Sequence, residues 1–92
     1  MNSNKDWVLQ IDLVVFKTLK KIPRKDAERI LFTIENLPLN PFSGDIQKMR
    51  DQKNVWRRRI GVYRIFYELV PQSKIISVFW VERRTSKTYK KR

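Results

Sequence analysis

Apolar and polar positions follow two different rhythms along this chain, and the change of rhythm divides it near its middle. Close to the start, Trp7, Val8, Leu9 and Ile11 form a run that suits a strand and is too short for a helix, with Asp12 placed to cap the next element. From Leu13 to Lys21 the apolar residues Val15, Phe16, Leu19 and Ile22 recur at spacings of three and four, which predicts a short helix that Pro23 interrupts. From Arg24 onward Ala27, Ile30, Leu31, Ile34 and Leu37 keep the same helical spacing, with Lys25, Glu28, Arg29, Glu35 and Asn36 between them. Pro38, Asn40-Pro41 and Ser43-Gly44 then punctuate a loop expected to run to about Asn54, with room for one turn of structure around Ile46 to Met49.

Beyond Asn54 the period shortens to two. Val55 to Ile60, Val62 to Val70 and Ile75 to Arg84 are rich in Val, Ile, Phe, Tyr and Trp, and Gly61 and Pro71 to Lys74 separate them, so three strands are predicted. Helices followed by strands imply an α+β fold of order β-α-α-β-β-β. Two N-terminal helices pack on one face of a small, mainly antiparallel, twisted sheet, and the first strand joins its edge. The 92 residues form a single domain, 1–92, with a basic C-terminal end, 85–92, whose composition allows flexibility.

The first hairpin can be read to the residue. With Gly61 and Val62 as the central residues of a type II′ turn, Gly61 supplying the positive φ, Ile60 opposes Tyr63. Arg59 then opposes Arg64, Arg58 opposes Ile65, Arg57 opposes Phe66 and Trp56 opposes Tyr67. Since side chains alternate, Arg57, Arg59, Arg64 and Phe66 share one face, and Trp56, Ile60, Tyr63, Ile65 and Tyr67 share the other with Arg58. Like charges directly opposed across strands are unfavourable by some tenths of a kcal/mol, so Arg59 facing Arg64 suggests an anion that bridges them. The plainer expectation is a solvated face whose arginines pair with Asp45, Asp51 or Glu68.

Charge sharpens this picture. Lys and Arg number 21 against 9 Asp and Glu, a formal charge of +12, and the pI is near 10.5. Residues 1–49 carry 8 basic and 6 acidic side chains and residues 50–92 carry 13 and 3, so the strand half holds the cationic surface. Hydrophobic content of 41% with only 2 Gly and 4 Pro separates the chain from disordered basic tails. Having neither Cys nor His, it has no disulfides, thiolate or imidazole ligands, or histidine-based acid–base pair, and catalysis would fall to Lys, Arg, Tyr or carboxylates. No segment reaches the roughly 18 apolar residues of a membrane span, which suggests a soluble, cytoplasmic protein with no membrane partner. No metal or organic cofactor is indicated.

Four segments carry a resemblance across Trp7 to Tyr89: Phe16-Lys17-Thr18-Leu19-Lys20-Lys21-Ile22-Pro23; Leu37-Pro38-Leu39-Asn40-Pro41 with Asp45; Trp56 through Tyr67; and Val81-Glu82-Arg83-Arg84-Thr85-Ser86-Lys87-Thr88-Tyr89. In order and spacing they resemble the RelE/ParE superfamily of type II toxins. Its RelE branch implies a ribosome-dependent endoribonuclease, an mRNA interferase that cleaves mRNA in the ribosomal A site by attack of the 2′-OH, leaving a 2′,3′-cyclic phosphate and a 5′ hydroxyl. The implied partners are a cognate acidic antitoxin of the RelB kind, the ribosome (30S A site, 16S rRNA) and mRNA. Arg57 and Arg59 fall on the two basic strand positions that are lysines in RelE, Arg64 on the strand arginine, Arg83 on the last-strand arginine and Tyr89 on the C-terminal tyrosine that stacks on or orients the substrate base. Lys20, Lys21, Lys25, Lys48 and Lys87 are expected to grip RNA backbone. Trp56, Trp80 and Tyr67 are read as packing, and Glu82 as a salt-bridge partner for Arg83.

Departures from the pattern leave other readings open. Arginine, with a pKa above about 12, is a poor general base, so Arg59 keeps electrostatic stabilisation and weakens proton abstraction. The ParE branch shares the fold and inhibits DNA gyrase without cutting RNA, and a non-catalytic RNA-binding module is a third reading.

Overall fold

The computed structural model describes residues 7–84. The chain runs β1 (Val8–Ile11), α1 (Leu13–Leu19), α2 (Arg24–Glu35), a 3-10 turn (Leu37–Leu39), β2 (Ile46–Lys48), β3 (Val55–Ile60), β4 (Tyr63–Val70) and β5 (Ile75–Arg83). Asp12 starts α1 by accepting the Val14 backbone N–H at 2.9 Å, as its position after the first strand predicts. Pro23 sits at the N-cap of α2, where its fixed φ suits a helix start and its missing N–H costs nothing.

The strands form one sheet of order β1-β5-β4-β3-β2. β1 runs parallel to β5 at one edge, and the other pairings are antiparallel. The extra member is β2, within the segment expected to be loop. Its Ile46, Gln47 and Lys48 pair with Arg58, Arg57 and Trp56, so the meander has a fourth strand. A three-residue strand flanked by turn residues has too few positions to show alternation, and it is the pairing to β3 that extends it. Asn54, at φ 61°, closes the connection back into β3, a conformation asparagine tolerates better than most residues.

One face of the sheet is covered and holds the core. Val15 and Leu19 of α1, Ile30 and Ile34 of α2, and Leu37 pack against Tyr63, Ile65, Tyr67, Leu69, Ile76, Val78 and Val81. Each fully buried branched side chain contributes roughly 1.5–3 kcal/mol. The loop after α2 closes the β3 side of this layer, where the Tyr67 hydroxyl donates to the Pro41 carbonyl at 2.7 Å. Burial pushes the Tyr67 phenol up to about 12, which Arg58 nearby opposes. Gly44 keeps this loop tight at φ 86°, with its Cα against the Arg58 guanidinium, where a β-carbon would collide. Among the described residues no helix is long and apolar enough to cross a membrane.

Candidate functional site

The hairpin holds the predicted register: Ile60 pairs with Tyr63, Arg59 with Arg64, Arg58 with Ile65 and Arg57 with Phe66. Gly61 has φ 57° and Val62 is not among the positive-φ residues, the signs that a II′ turn requires. Two rows of side chains therefore cross the face opposite the helices. The first runs Gln47, Arg57, Phe66, Trp80 over β2 to β5, and the second runs Arg59, Arg64, Glu82 over β3 to β5.

Donors outnumber acceptors on this outer face. Arg57 Nη2 donates to Gln47 Oε1 at 2.6 Å, and Arg64 Nη2 lies 2.9 Å from Glu82 Oε2. The other Glu82 oxygen accepts the Trp80 indole N–H at 3.1 Å, so one carboxylate steers both a guanidinium and an indole. Arg59 enters no hydrogen bond or ion pair through its side chain among the described residues, and the Nε atoms of Arg57, Arg59 and Arg64 are enclosed without a partner. Glu82 thus engages Arg64 rather than Arg83, and among the described residues Asp45, Asp51 and Glu68 form no ion pair with the outer-face arginines. With the Arg64–Glu82 pair counted, Arg57 and Arg59 have no ion-pair partner among the described residues, although the Asp45 backbone carbonyl accepts the Arg59 backbone N–H at 2.9 Å.

Arg83 does not join them. It pairs in register with Tyr63, which places it on the helix-covered side at the hairpin end. There the Tyr63 hydroxyl donates to Asp26 Oδ2 at 3.0 Å, and Asp26 Oδ1 lies 3.6 Å from Arg29 Nη2. Burial raises the Tyr63 pKa, the Asp26 carboxylate adds to the rise, and Arg83 beside the ring opposes both. Lys20, Lys21 and Lys25 belong to the end of α1 and the start of α2, on the helical layer, and Lys48 pairs with Trp56 at the sheet edge. None of these lysines lies among the outer-face arginines. Tyr89, Lys87 and the basic end 85–92 lie outside the described residues.

Two residues of this face escape sequence reasoning. Trp80 groups with Trp56 and Tyr67 as packing when read from the sequence, and the latter two do face inward, whereas Trp80 is outside and 44% exposed. A register shift between Phe66 and Tyr67 causes the difference: Phe66 pairs with Trp80 and Tyr67 with Val78, leaving Phe79 as the extra residue. A signal exists, since strict alternation from Ile76 and Val78 would drive Glu82 into the core and leave Val81 outside. Arg84 is the second. Its backbone N–H donates to the Val62 carbonyl at 2.6 Å, extending the β4–β5 ladder, and alternation from Glu82 carries it to the outer side.

The fold, a helix pair on one face of the sheet, is shared with known proteins. The family of ParE toxins of type II toxin–antitoxin systems (parDE) matches residues 10–87. The protein named "Putative toxin RelE1" of Methanocaldococcus jannaschii is 30% identical over 79 residues, spanning 83% of this chain and 88% of that one. Among solved structures, the RelE–RelB complex of Pyrococcus horikoshii superposes with a TM-score of 0.74 at 24% identity, over 86% of this chain and 96% of that chain. The RelB–RelE complex of Methanococcus jannaschii gives 0.70 at 26%, over 87% and 95%. The isolated RelE toxin of E. coli gives 0.72 at 17%, over 91% and 92%, a likeness of fold. The chain belongs to the RelE/ParE superfamily of type II toxins.

Proposed function

We propose that this toxin is a metal-independent endoribonuclease that cuts mRNA in the ribosomal A site, held inactive in the cytoplasm by an acidic antitoxin. The observation that carries this reading is the Arg59–Arg64 pair opposed across β3 and β4, with Arg57 two positions along, on the face the helices leave open. Cleavage by a 2′ oxygen passes through a phosphorane-like transition state that accumulates charge on its non-bridging oxygens. Fixed cationic donors aimed at that charge lower the barrier because they need no reorganisation when it develops. The phosphate clamp is assigned to Arg57, Arg59 and Arg64. Arg83 and Tyr89, which the family pattern adds to the reaction, would act from the hairpin end of the sheet and from the C-terminal segment. Lysines on the helical layer would grip ribosomal RNA from the other side. The RelE-named relatives, several of them solved with RelB, favour a partner of that kind, and a chain of net charge +12 favours an acidic one.

A second reading has its own support, since the matching family is named for ParE, the branch that inhibits gyrase. Purified toxin added to ribosomes paused on a defined mRNA, with naked mRNA alongside, separates the two by primer extension. New 5′ ends at the A-site codon on ribosomes alone are expected. No cut in either sample, from protein that still arrests growth, would transfer the assignment to gyrase.

A further inference from the structure

Next to the arginines the outer face carries an aromatic surface that phosphate binding does not use. Trp80 stands beside Phe66 across β4 and β5, and Phe66 stands beside Arg57 across β3 and β4. Phe79, the bulged residue, leans on Phe66 with ring centroids 6.5 Å apart and planes at 41°. The indole cannot turn freely, because its N–H is held by Glu82 and Glu82 is held in turn by Arg64. Its polar edge is thereby occupied while much of its surface stays open. A single exposed tryptophan is ordinary, but one placed beside a phenylalanine across the strands and tied through Glu82 to an arginine is a combination with a chemistry.

The geometry points to a nucleobase-stacking platform, Trp80 with Phe66 beside it across the strands, that takes one base of a single-stranded RNA whose phosphates lie on Arg57, Arg59 and Arg64. This rests on the reading of the arginine face as an RNA site and adds what holds the base. Charge complementarity selects the occupant: an apolar protein segment would cover Trp80 and leave two guanidinium groups unpaired, whereas an acidic peptide would satisfy the guanidinium groups and leave the rings exposed. A nucleotide brings anion and flat apolar ring on one short unit, in the order the two cross-strand rows present them. Stacking of this kind is tolerant of base identity, because every base has a π face. The bulge is what makes it possible, since without it Trp80 would point into the core.

The test is the affinity of the full-length toxin for a fluorescein-labelled, fully 2′-O-methylated octanucleotide, which cannot be cut, measured by anisotropy at fixed low salt. Trp80→Ala should weaken binding about tenfold, and Trp80→Phe should stay within about threefold of wild type. An octanucleotide abasic at one position should lose the same factor with wild type and nothing further with Trp80→Ala. The salt slope should be unchanged by Trp80→Ala and reduced by about 1 in Arg57→Ala. Wild-type affinity in a folded Trp80→Ala variant, or an abasic penalty equal in both proteins, overturns the platform, as does wild type that binds no oligonucleotide. A Trp80→Ala variant that loses only antitoxin affinity overturns it too, by making the rings a protein contact. The reaction is judged separately: Trp80-dependent binding by a toxin that cuts nothing on ribosomes leaves the platform standing and removes the nuclease.

Discussion

The two faces of this sheet are made of the same strands and obey opposite rules. On β4, Tyr63, Ile65, Tyr67 and Leu69 point inward and are buried, while Arg64, Phe66 and Glu68 point outward and keep contact with solvent. The inner face satisfies most local preferences: apolar side chains meet the helices, and both tyrosine hydroxyls find an acceptor, with the enclosed Arg58 Nε as the exception. The outer face strains one, opposing Arg59 to Arg64 with an ion pair, to Glu82, made by Arg64 alone among the described residues. Period-two alternation permits this separation, because a substitution on one face need not disturb the other. Unfavourable charge can be concentrated outside without weakening the packing inside. Such local violations in an otherwise consistent fold are expected at functional sites.

The contrast can be broken from either side. The largest effect belongs to the inner face: Ile65→Ala, at a fully buried position, should cost about 2–5 kcal/mol in a urea unfolding experiment, a large fraction of the stability of a domain this size. A loss below about 1 kcal/mol would mean that the core lies elsewhere. On the outer face, Arg64→Ala should remove at least about 2 kcal/mol of transition-state stabilisation, roughly a thirtyfold slower cut, with unfolding free energy changed by less than about 0.5 kcal/mol. A variant that cuts at the wild-type rate would take Arg64 out of the clamp.

The inner face also carries a pH signature. Well below pH 10 the Tyr67 phenol is protonated in folded and unfolded chains alike, and its contribution to stability is constant. Above that the unfolded phenol ionises first, so stability should fall as the pH rises toward the folded value of about 12, by on the order of 2 kcal/mol. Melting temperatures between pH 9 and 12 would show it, and Tyr67→Phe should shrink the alkaline loss while costing about 1 kcal/mol at neutral pH through the Pro41 hydrogen bond.

How far these faces could be read without coordinates depended on local signals. The β3–β4 register was legible because Gly61 marks a two-residue turn and every later pairing comes by counting. Both helices were legible from Asp12, Pro23 and a sustained apolar spacing. β2 was not, because Ile46 to Lys48 is too short for a pattern and is held by its pairing with β3. The bulge at Phe79 was the costly omission. It shifts the phase of β5 and so decides that Trp80 and Glu82 face the arginines while Arg83 faces Tyr63. Motif spacing assigns residues to positions in a chain; phase along a strand assigns them to a face.

The smallest stability change offers the most direct test of the division between the faces. Arg59→Gln removes a like charge opposite Arg64 and no core atom, so the melting temperature at low ionic strength should rise by the equivalent of a few tenths of a kcal/mol, fading in high salt, while A-site cleavage slows by at least about tenfold. Both quantities can be measured on one preparation. Opposite movements of stability and cleavage are what an arginine face retained for binding an anion predicts. A variant that melts lower and cuts as well as wild type would contradict it, and would make the outer arginines part of the scaffold.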